Sequence, residues 1–380
     1  METLPDWFRH ADRLAALGED APFSNKLEFL HDYLHQDFPW IDRIAVALYD
    51  PQTDLLKTYA HSSKGDDPLS LYDARLSDST TLQEIVRLRR PRVIDDLALL
   101  PASRPHSERI RGQGYGSSYT LPIFRNGDFL GLLFFNSYHK HVLDERALHH
   151  LDLVGHLVGY SLIDQLTTAR TLVASVRSTS TLAQHRDFET GAHLDRMAHY
   201  ARLIARAIAP RYGLDDHTVE HIFLFAPLHD IGKIGISDSI LLKPGKLDAE
   251  EFETMKTHPA RGVEIIDALL EHFGLSGLPH SQLLRNIALY HHEAMNGQGY
   301  PLGLKGEAIP IEARIAAVAD VFDALTSKRP YKDAWSNEDT FTLLQELAGD
   351  VLDRDCVQAL ISQADAIRGI QERFREDPLG

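Results

Sequence analysis

The spacing of apolar residues divides the chain into two regimes. Asn25–Phe38 carries apolar residues at helical steps. Ile44–Tyr49 and Leu55–Tyr59 then read as strands, separated by the turn formers Asp50, Pro51 and Asp54. Thr81–Arg90 reads as a helix and Arg92–Asp96 as a further strand. Ser118–Phe124 and Phe129–Asn136 flank Asn126-Gly127, a pair that tolerates the positive φ of a tight turn, so this stretch predicts a β-hairpin.

From about Asp144 to Arg186 the pattern becomes helical without a proline. Leu151, Val154, Val158 and Leu162 recur at three- and four-residue steps, and Leu172, Val173 and Val176 continue the stripe. A helix of some 40 residues needs a supporting partner. Two readings stand: two helices broken near Arg177–Thr181, or one dimerising connector that joins two folded units, which we favour. Beyond residue 186 the pattern is overwhelmingly helical, with loops at 233–246 and 295–310.

The strand and helix order of residues 20–165 resembles a GAF domain, a central antiparallel sheet with flanking helices leading into a long output helix. The resemblance implies a small-ligand or dimerisation role, with no ligand residue nominated. Covalent attachment of a chromophore, as in some relatives, needs a cysteine that this region lacks. The expected fold is multidomain: an N-terminal α/β GAF-like sensor domain (1–142), a connector helix (143–187) and a C-terminal all-α domain (188–380).

Composition narrows the partners. The 380 residues carry 39 basic and 55 acidic side chains, a net charge of −16, which disfavours a nucleic-acid polymer as partner. The longest apolar runs, such as Leu130–Phe135, are too short to span a bilayer. No signal-like apolar core stands in the N-terminal stretch. The expectation is a cytoplasmic protein with no membrane partner. Cys356 is the only cysteine, so thiolate metal sites are not expected. The 21 histidines are about twice ordinary usage.

A subset of those histidines falls where metal chemistry would need it. Glu189 and His193 stand at i and i+4 in FETGAH and share a helix face. His229-Asp230 lies between apolar residues, where ionisable groups need partners and a cation supplies one. His258 in MKTHPARG, His291-His292 after Ile287, Ala288 and Leu289, and Asp320 at the end of RIAAVAD complete the set. Each alone has an ordinary reading as a surface or capping residue. Together they offer five imidazoles and three carboxylates, a nitrogen and oxygen donor set that suits iron or manganese and exceeds one zinc site.

HDIGK at 229–233 and HHEAMNGQGYP at 291–301 resemble the paired signatures of the HD-GYP subgroup of HD-domain phosphohydrolases. ILLKPGKL at 240–247, HP at 258–259 and RIAAVADVFDALTSKRPYKDA at 314–334 extend the likeness over roughly 180–370. The resemblance implies hydrolysis of cyclic di-GMP to pGpG, with GMP left open as the end product, at a centre of two or three metal ions. Iron or manganese is expected, and the match of Glu189 favours three ions. Asp230 would bridge two metals, and Lys233 would assist the leaving 3′-oxygen.

The resemblance also implies phosphate contacts from Arg329 and Lys332. Tyr300 would face a guanine base or a protein partner at its loop. Asp323 is placed among the substrate-binding residues, with support through helix packing as its other reading. Met295 and Asn296 depart from the usual residues of the loop, and 265–285 is longer than in compact relatives. Two other readings stay open: a different cyclic dinucleotide as substrate, or a binding module without turnover. A homodimer through the connector helix and a small ligand of the GAF-like domain complete the expected partners.

Overall fold

The computed structural model describes residues 10–19, 21–65, 71–99, 112–182, 191–273, 275, 280–327 and 333–375. The chain forms two compact units that divide between Leu166 and Thr167.

The first unit is built on a six-stranded sheet in the order β3-β2-β1-β6-β5-β4. Its strands are β1 (Arg43–Asp50), β2 (Leu55–Ser63), β3 (Asp73–Arg75), β4 (Arg92–Ile94), β5 (Ser117–Arg125) and β6 (Asp128–Ser137), and every pairing is antiparallel. The predicted hairpin is present. Arg125 pairs with Asp128, and Asn126 and Gly127 take φ of 50° and 97°, the doubly positive turn that matches strand twist.

Alternation along the strands sorts side chains to two faces. Ile44, Val46, Leu133 and Phe135 enter one core with helix α1 (Phe23–Asp37) and the start of α3 (Glu145–Leu182). Leu132 and Phe134 face the other way, toward Leu82 and Ile85 of α2 (Thr80–Leu88). Between α3 and the sheet the fit is close. A Cβ on Gly155 would stand 2.6 Å from Leu121 Cδ2, so glycine is what lets this helix approach.

Helix α3 runs through Arg177–Thr181 without a break, 38 residues in all. Leu151, Val154, Val158 and Leu162 are buried in the first unit's core. The expected boundary at residue 142 therefore precedes a helix whose first half belongs to that core. Val173 is half-buried, while the side chains of Leu172 and Val176 lie outside the described residues.

The second unit is helical: α4 (Gly191–Tyr212), α5 (Asp216–Phe225), α6 (Asp238–Leu241), α7 (Ala249–Met255), α8 (His258–His272), α9 (Ser281–Tyr290), α10 (Ile311–Thr326), α11 (Asn337–Leu347), α12 (Arg354–Ile361) and α13 (Ala364–Arg373). Helix α4 is central and packs against α5, α10 and α12. Ala198, Ala201 and Ala205 on α4 and Ala313, Ala316 and Ala319 on α10 are buried, which keeps the helix axes close. The buried pair Arg202–Glu220, 2.6 Å apart, ties α4 to α5. Among the described residues, no helix is long and apolar enough to cross a membrane.

Candidate metal centre

Four helix ends and one helix interior deliver the histidines and carboxylates to one place. His193 sits in the first turn of α4 and Asp320 on α10. A short 3-10 turn, Ala226–Leu228, ends the α5 segment and hands the chain to His229 and Asp230. His258 opens α8, where Pro259 suits the first turn because a proline lacks the N–H that has no partner there. His291 ends α9, and His292 follows it.

The ligand atoms gather in two adjoining groups: Asp230, His258, His291 and His292 in one, and His193, His229 and Asp320 in the other. Within each, the atoms lie within 4.8 Å of one another. His229 Nε2 joins the groups, 3.2 Å from Asp230 and 3.8 Å from Asp320. Seven of the eight expected ligands are thus brought together. Glu189 lies outside the described residues, as do Arg329 and Lys332.

The hydrogen bonds of three rings fix which nitrogen faces inward. Nδ1 of His229 meets the Ala226 carbonyl at 3.0 Å, Nδ1 of His258 meets that of Met255 at 2.8 Å, and Nδ1 of His291 meets that of Ile287 at 3.0 Å. A carbonyl only accepts, so each Nδ1 carries a proton and each ring turns its Nε2 into the site. Those nitrogens meet Asp230: His258 Nε2 is 2.9 Å and His291 Nε2 3.5 Å from Oδ1.

Burial alone would raise the Asp230 carboxyl, but the Lys233 ammonium, 2.7 Å from Oδ2, together with His229 and His258, holds the group well below the usual carboxylate range. Burial also pushes His291 and His292 toward the neutral form, the latter with help from its neighbour His291. Imidazole nitrogens therefore converge on an ionised carboxylate. That arrangement fits a cation between them. The donor set, nitrogen and oxygen without sulfur, is that of a divalent first-row metal.

A buried network stands behind His193. Its Nδ1 donates to Asp323 Oδ2 at 2.7 Å, and Arg196 donates from Nε to Oδ1 at 2.7 Å and from Nη2 to Oδ2 at 2.9 Å. Ser327 adds a hydroxyl at 3.0 Å. Asp323 is 0% exposed. Its expected place among the substrate contacts is therefore corrected: both oxygens are committed inside the protein, and it orients a candidate ligand instead. Arg196 escaped the sequence reading, although it stands three residues after His193, on the same helix face.

The glycine-rich loop is held by a residue that offers no ligand. Glu293, buried, accepts the amides of Leu302 at 2.7 Å and Leu304 at 2.8 Å. The Tyr300 amide donates to the His292 carbonyl at 3.1 Å, and its ring lies 4.7 Å from the His292 ring. Tyr300 thus borders the histidine cluster. A Cβ on Gly299 would stand 2.3 Å from the Ala294 nitrogen, so this turn closes only with glycine. Asn296 accepts the Gln298 amide at 2.9 Å and serves its own turn.

Residues 180–356 match the family model of the HD domain, and residues 27–162 match that of the GAF domain. The chain thus carries a GAF domain followed by an HD domain. It is 48% identical over 178 residues to the cyclic di-GMP phosphodiesterase response regulator RpfG of Xanthomonas campestris, covering 47% of this chain and 44% of that protein. It is 41% identical over 196 residues to a cyclic di-GMP phosphodiesterase of Thermotoga maritima, covering 52% and 50%. It is 39% identical over 210 residues to the 3'3'-cGAMP-specific phosphodiesterase 2 of Vibrio cholerae, covering 55% and 38%. The matched region spans about half or less of each of these relatives. A phycocyanobilin-bound GAF domain from a cyanobacterial phytochrome aligns with 41% of the chain at 17% identity, with a TM-score of 0.32.

Proposed function

We propose that this chain, a GAF domain joined to an HD domain of the HD-GYP kind, is a metal-dependent phosphodiesterase that hydrolyses cyclic di-GMP to pGpG, with GMP as the alternative end product. The observation that carries the reading is the convergence of the His229, His258 and His291 ring nitrogens on Asp230. The likeness to relatives named as cyclic di-GMP phosphodiesterases supports the substrate.

His193, His229, Asp230, His258, His291, His292 and Asp320, with Glu189, would hold two or three ions of iron or manganese, three if Glu189 joins. Such ions neutralise a phosphodiester's charge and activate water for in-line attack. The chain's own groups do the rest. Lys233 holds an ammonium 2.7 Å from Asp230, placed to give a proton to the leaving 3′-oxygen. Arg329 and Lys332 would take the second phosphate, which an acidic protein must hold with local positive charge. Tyr300 offers its ring to a guanine base.

A second reading keeps the centre and changes the substrate to a hybrid cyclic dinucleotide, since a 3'3'-cGAMP-specific enzyme shares 39% identity. A third, a binding module without turnover, is disfavoured by the assembled donor set. Regulation is assigned to the GAF domain, dimerisation to α3 and location to the cytoplasm. A small ligand would enter the cleft lined by Arg43, Thr58, Tyr72, Leu82 and Asn136. The glycine-rich loop is also a candidate surface for protein partners.

The test is turnover of cyclic di-GMP and 3'3'-cGAMP by anaerobically prepared protein with ferrous iron or manganese, followed by nucleotide chromatography. We expect pGpG from cyclic di-GMP and none from Asp230→Ala. Faster cleavage of 3'3'-cGAMP would select the second reading. Absence of turnover, with Asp230→Ala binding nucleotide as well as the parent, would defeat the enzyme reading.

A further inference from the structure

Three histidines that the candidate centre does not use meet elsewhere in the HD domain. His217 and His221 stand one turn apart on α5, and His280 immediately precedes α9. Their ligand nitrogens lie within 4.8 Å of one another, and the ring centroids are 4.4–4.7 Å apart. His217 and His221 are 2% and 1% exposed, while His280 is half-buried and opens the cluster to solvent.

The protonation pattern suits a metal better than a proton. His221 Nδ1 donates to the His217 carbonyl at 2.8 Å, so its Nε2 carries a lone pair. His217 Nδ1 and His280 Nε2 lie 2.8 Å apart and share one proton between them. Burial drives all three rings toward the neutral form, His217 down to about 2 and His221 to about 4. A metal ion bound by two imidazoles at ~2.0–2.1 Å spaces their nitrogens by about 3.3 Å in tetrahedral geometry. Replacing the shared proton therefore asks the rings to part by roughly 0.5 Å. The half-buried His280 can give that.

We propose that His217, His221 and His280 form a second metal site, separate from the candidate centre, that takes a divalent ion of the zinc class. Three neutral nitrogen donors without carboxylate or thiolate favour zinc, copper or nickel over magnesium or calcium. The fourth position is left to water. The place in the fold gives the site its consequence. Helix α5 runs from His217 toward His229-Asp230, and α9 runs from His280 to His291-His292. The two helices pack together. At ~1.5 Å per residue, the cluster histidines lie roughly 12–18 Å along the chain from His229 or His291. An ion here fastens the far ends of the two helices whose near ends carry four of the candidate ligands. The inference does not depend on what the candidate centre hydrolyses.

The test is metal content and thermal stability of the full chain, stripped with chelator and dialysed against buffered zinc. His280→Asn removes a donor yet suits the left-handed backbone at this position, where φ is 63°. His221→Gln provides a second variant. We expect each variant to lose one zinc equivalent and the matching part of the zinc-dependent rise in Tm. The same loss should appear when Asp230→Ala and His291→Ala have already disabled the candidate centre. Cobalt in place of zinc should give d–d absorption that His280→Asn weakens. Unchanged zinc content and an unchanged zinc-dependent Tm rise in His280→Asn would overturn the proposal. So would zinc loss only in the variants of the candidate centre.

Discussion

Asp323 accepts the Nδ1 proton of His193 at 2.7 Å while Arg196 donates to both of its oxygens. One buried carboxylate thereby fixes the tautomer of a candidate ligand and neutralises a buried guanidinium. The two roles can be separated. Asp323→Asn keeps a neutral acceptor for His193, whereas losing that acceptor in Asp323→Ala should weaken metal binding by about 10–100-fold. Both variants leave Arg196 buried without its carboxylate, at about 3–5 kcal/mol. Manganese titration and thermal denaturation of both variants check this. Equal metal affinity in Asp323→Asn and Asp323→Ala would remove the orienting role.

Lys233 should act on turnover rather than on assembly. Its side chain is 20% exposed, and its ammonium stands 2.7 Å from Asp230. Lys233→Met should lower kcat by about 10²–10⁴-fold, the range for losing a proton donor, while metal content stays near that of the parent. A matching fall in metal content would make Lys233 a structural partner of Asp230 only.

Gly232 sets how closely the HDIGK turn lies against α8. A Cβ there would stand 1.8 Å from the His258 carbonyl and 2.6 Å from the Gly262 nitrogen, both rigid backbone atoms. Gly232→Ala should destabilise the HD domain by at least about 1–3 kcal/mol, the usual penalty for overpacking, and lower metal content by displacing His258 from Asp230. Thermal denaturation and metal analysis read both effects.

His31 predicts an acid limit for the GAF domain. Its Nε2 donates to the Ile41 carbonyl at 3.0 Å, and its Nδ1 accepts from the Ser62 hydroxyl at 2.7 Å. Burial lowers its pKa to about 4 against the partial support of that carbonyl. Above pH 6.5 the ring is neutral in both folded and unfolded chains, so its contribution is constant. Between pH 6.5 and about 4 the unfolded chain takes up a proton that the folded chain refuses, and stability falls by about 3 kcal/mol. Below about 4 the loss is complete. Denaturation followed by Trp40 fluorescence, with Trp7 and Trp335 replaced by phenylalanine, should show this slope, and His31→Gln should flatten it.

Several elements were legible because one local rule governs each. Asn126-Gly127 dictates a hairpin turn whatever surrounds it, and the stripe Leu151, Val154, Val158, Leu162 dictates a helix with one buried face. HDIGK and HHEAMNGQGYP carry the candidate centre because their histidines stand at helix ends, where adjacent residues enter the site together. Asp323 and the trio of His217, His221 and His280 were harder. Asp323 looked like a substrate contact because it lies in a motif beside Asp320, and burial is not written in spacing. The i,i+4 pair His217 and His221 was visible, but its third member lies 59 residues later.

The sequence by itself determined the two regimes of secondary structure, the donor types and their order along the chain. These follow from periodicity, turn chemistry and the absence of cysteine near the site, all properties of neighbouring residues. Only the tertiary structure decided that α3 begins as core of the first unit and that Asp323 faces inward toward His193 and Arg196. It alone brought the Nε2 atoms of His229, His258 and His291 onto Asp230 and brought His280 to α5. Each of these depends on which helices pack together, and packing of that kind is set by the whole domain rather than by any stretch of it.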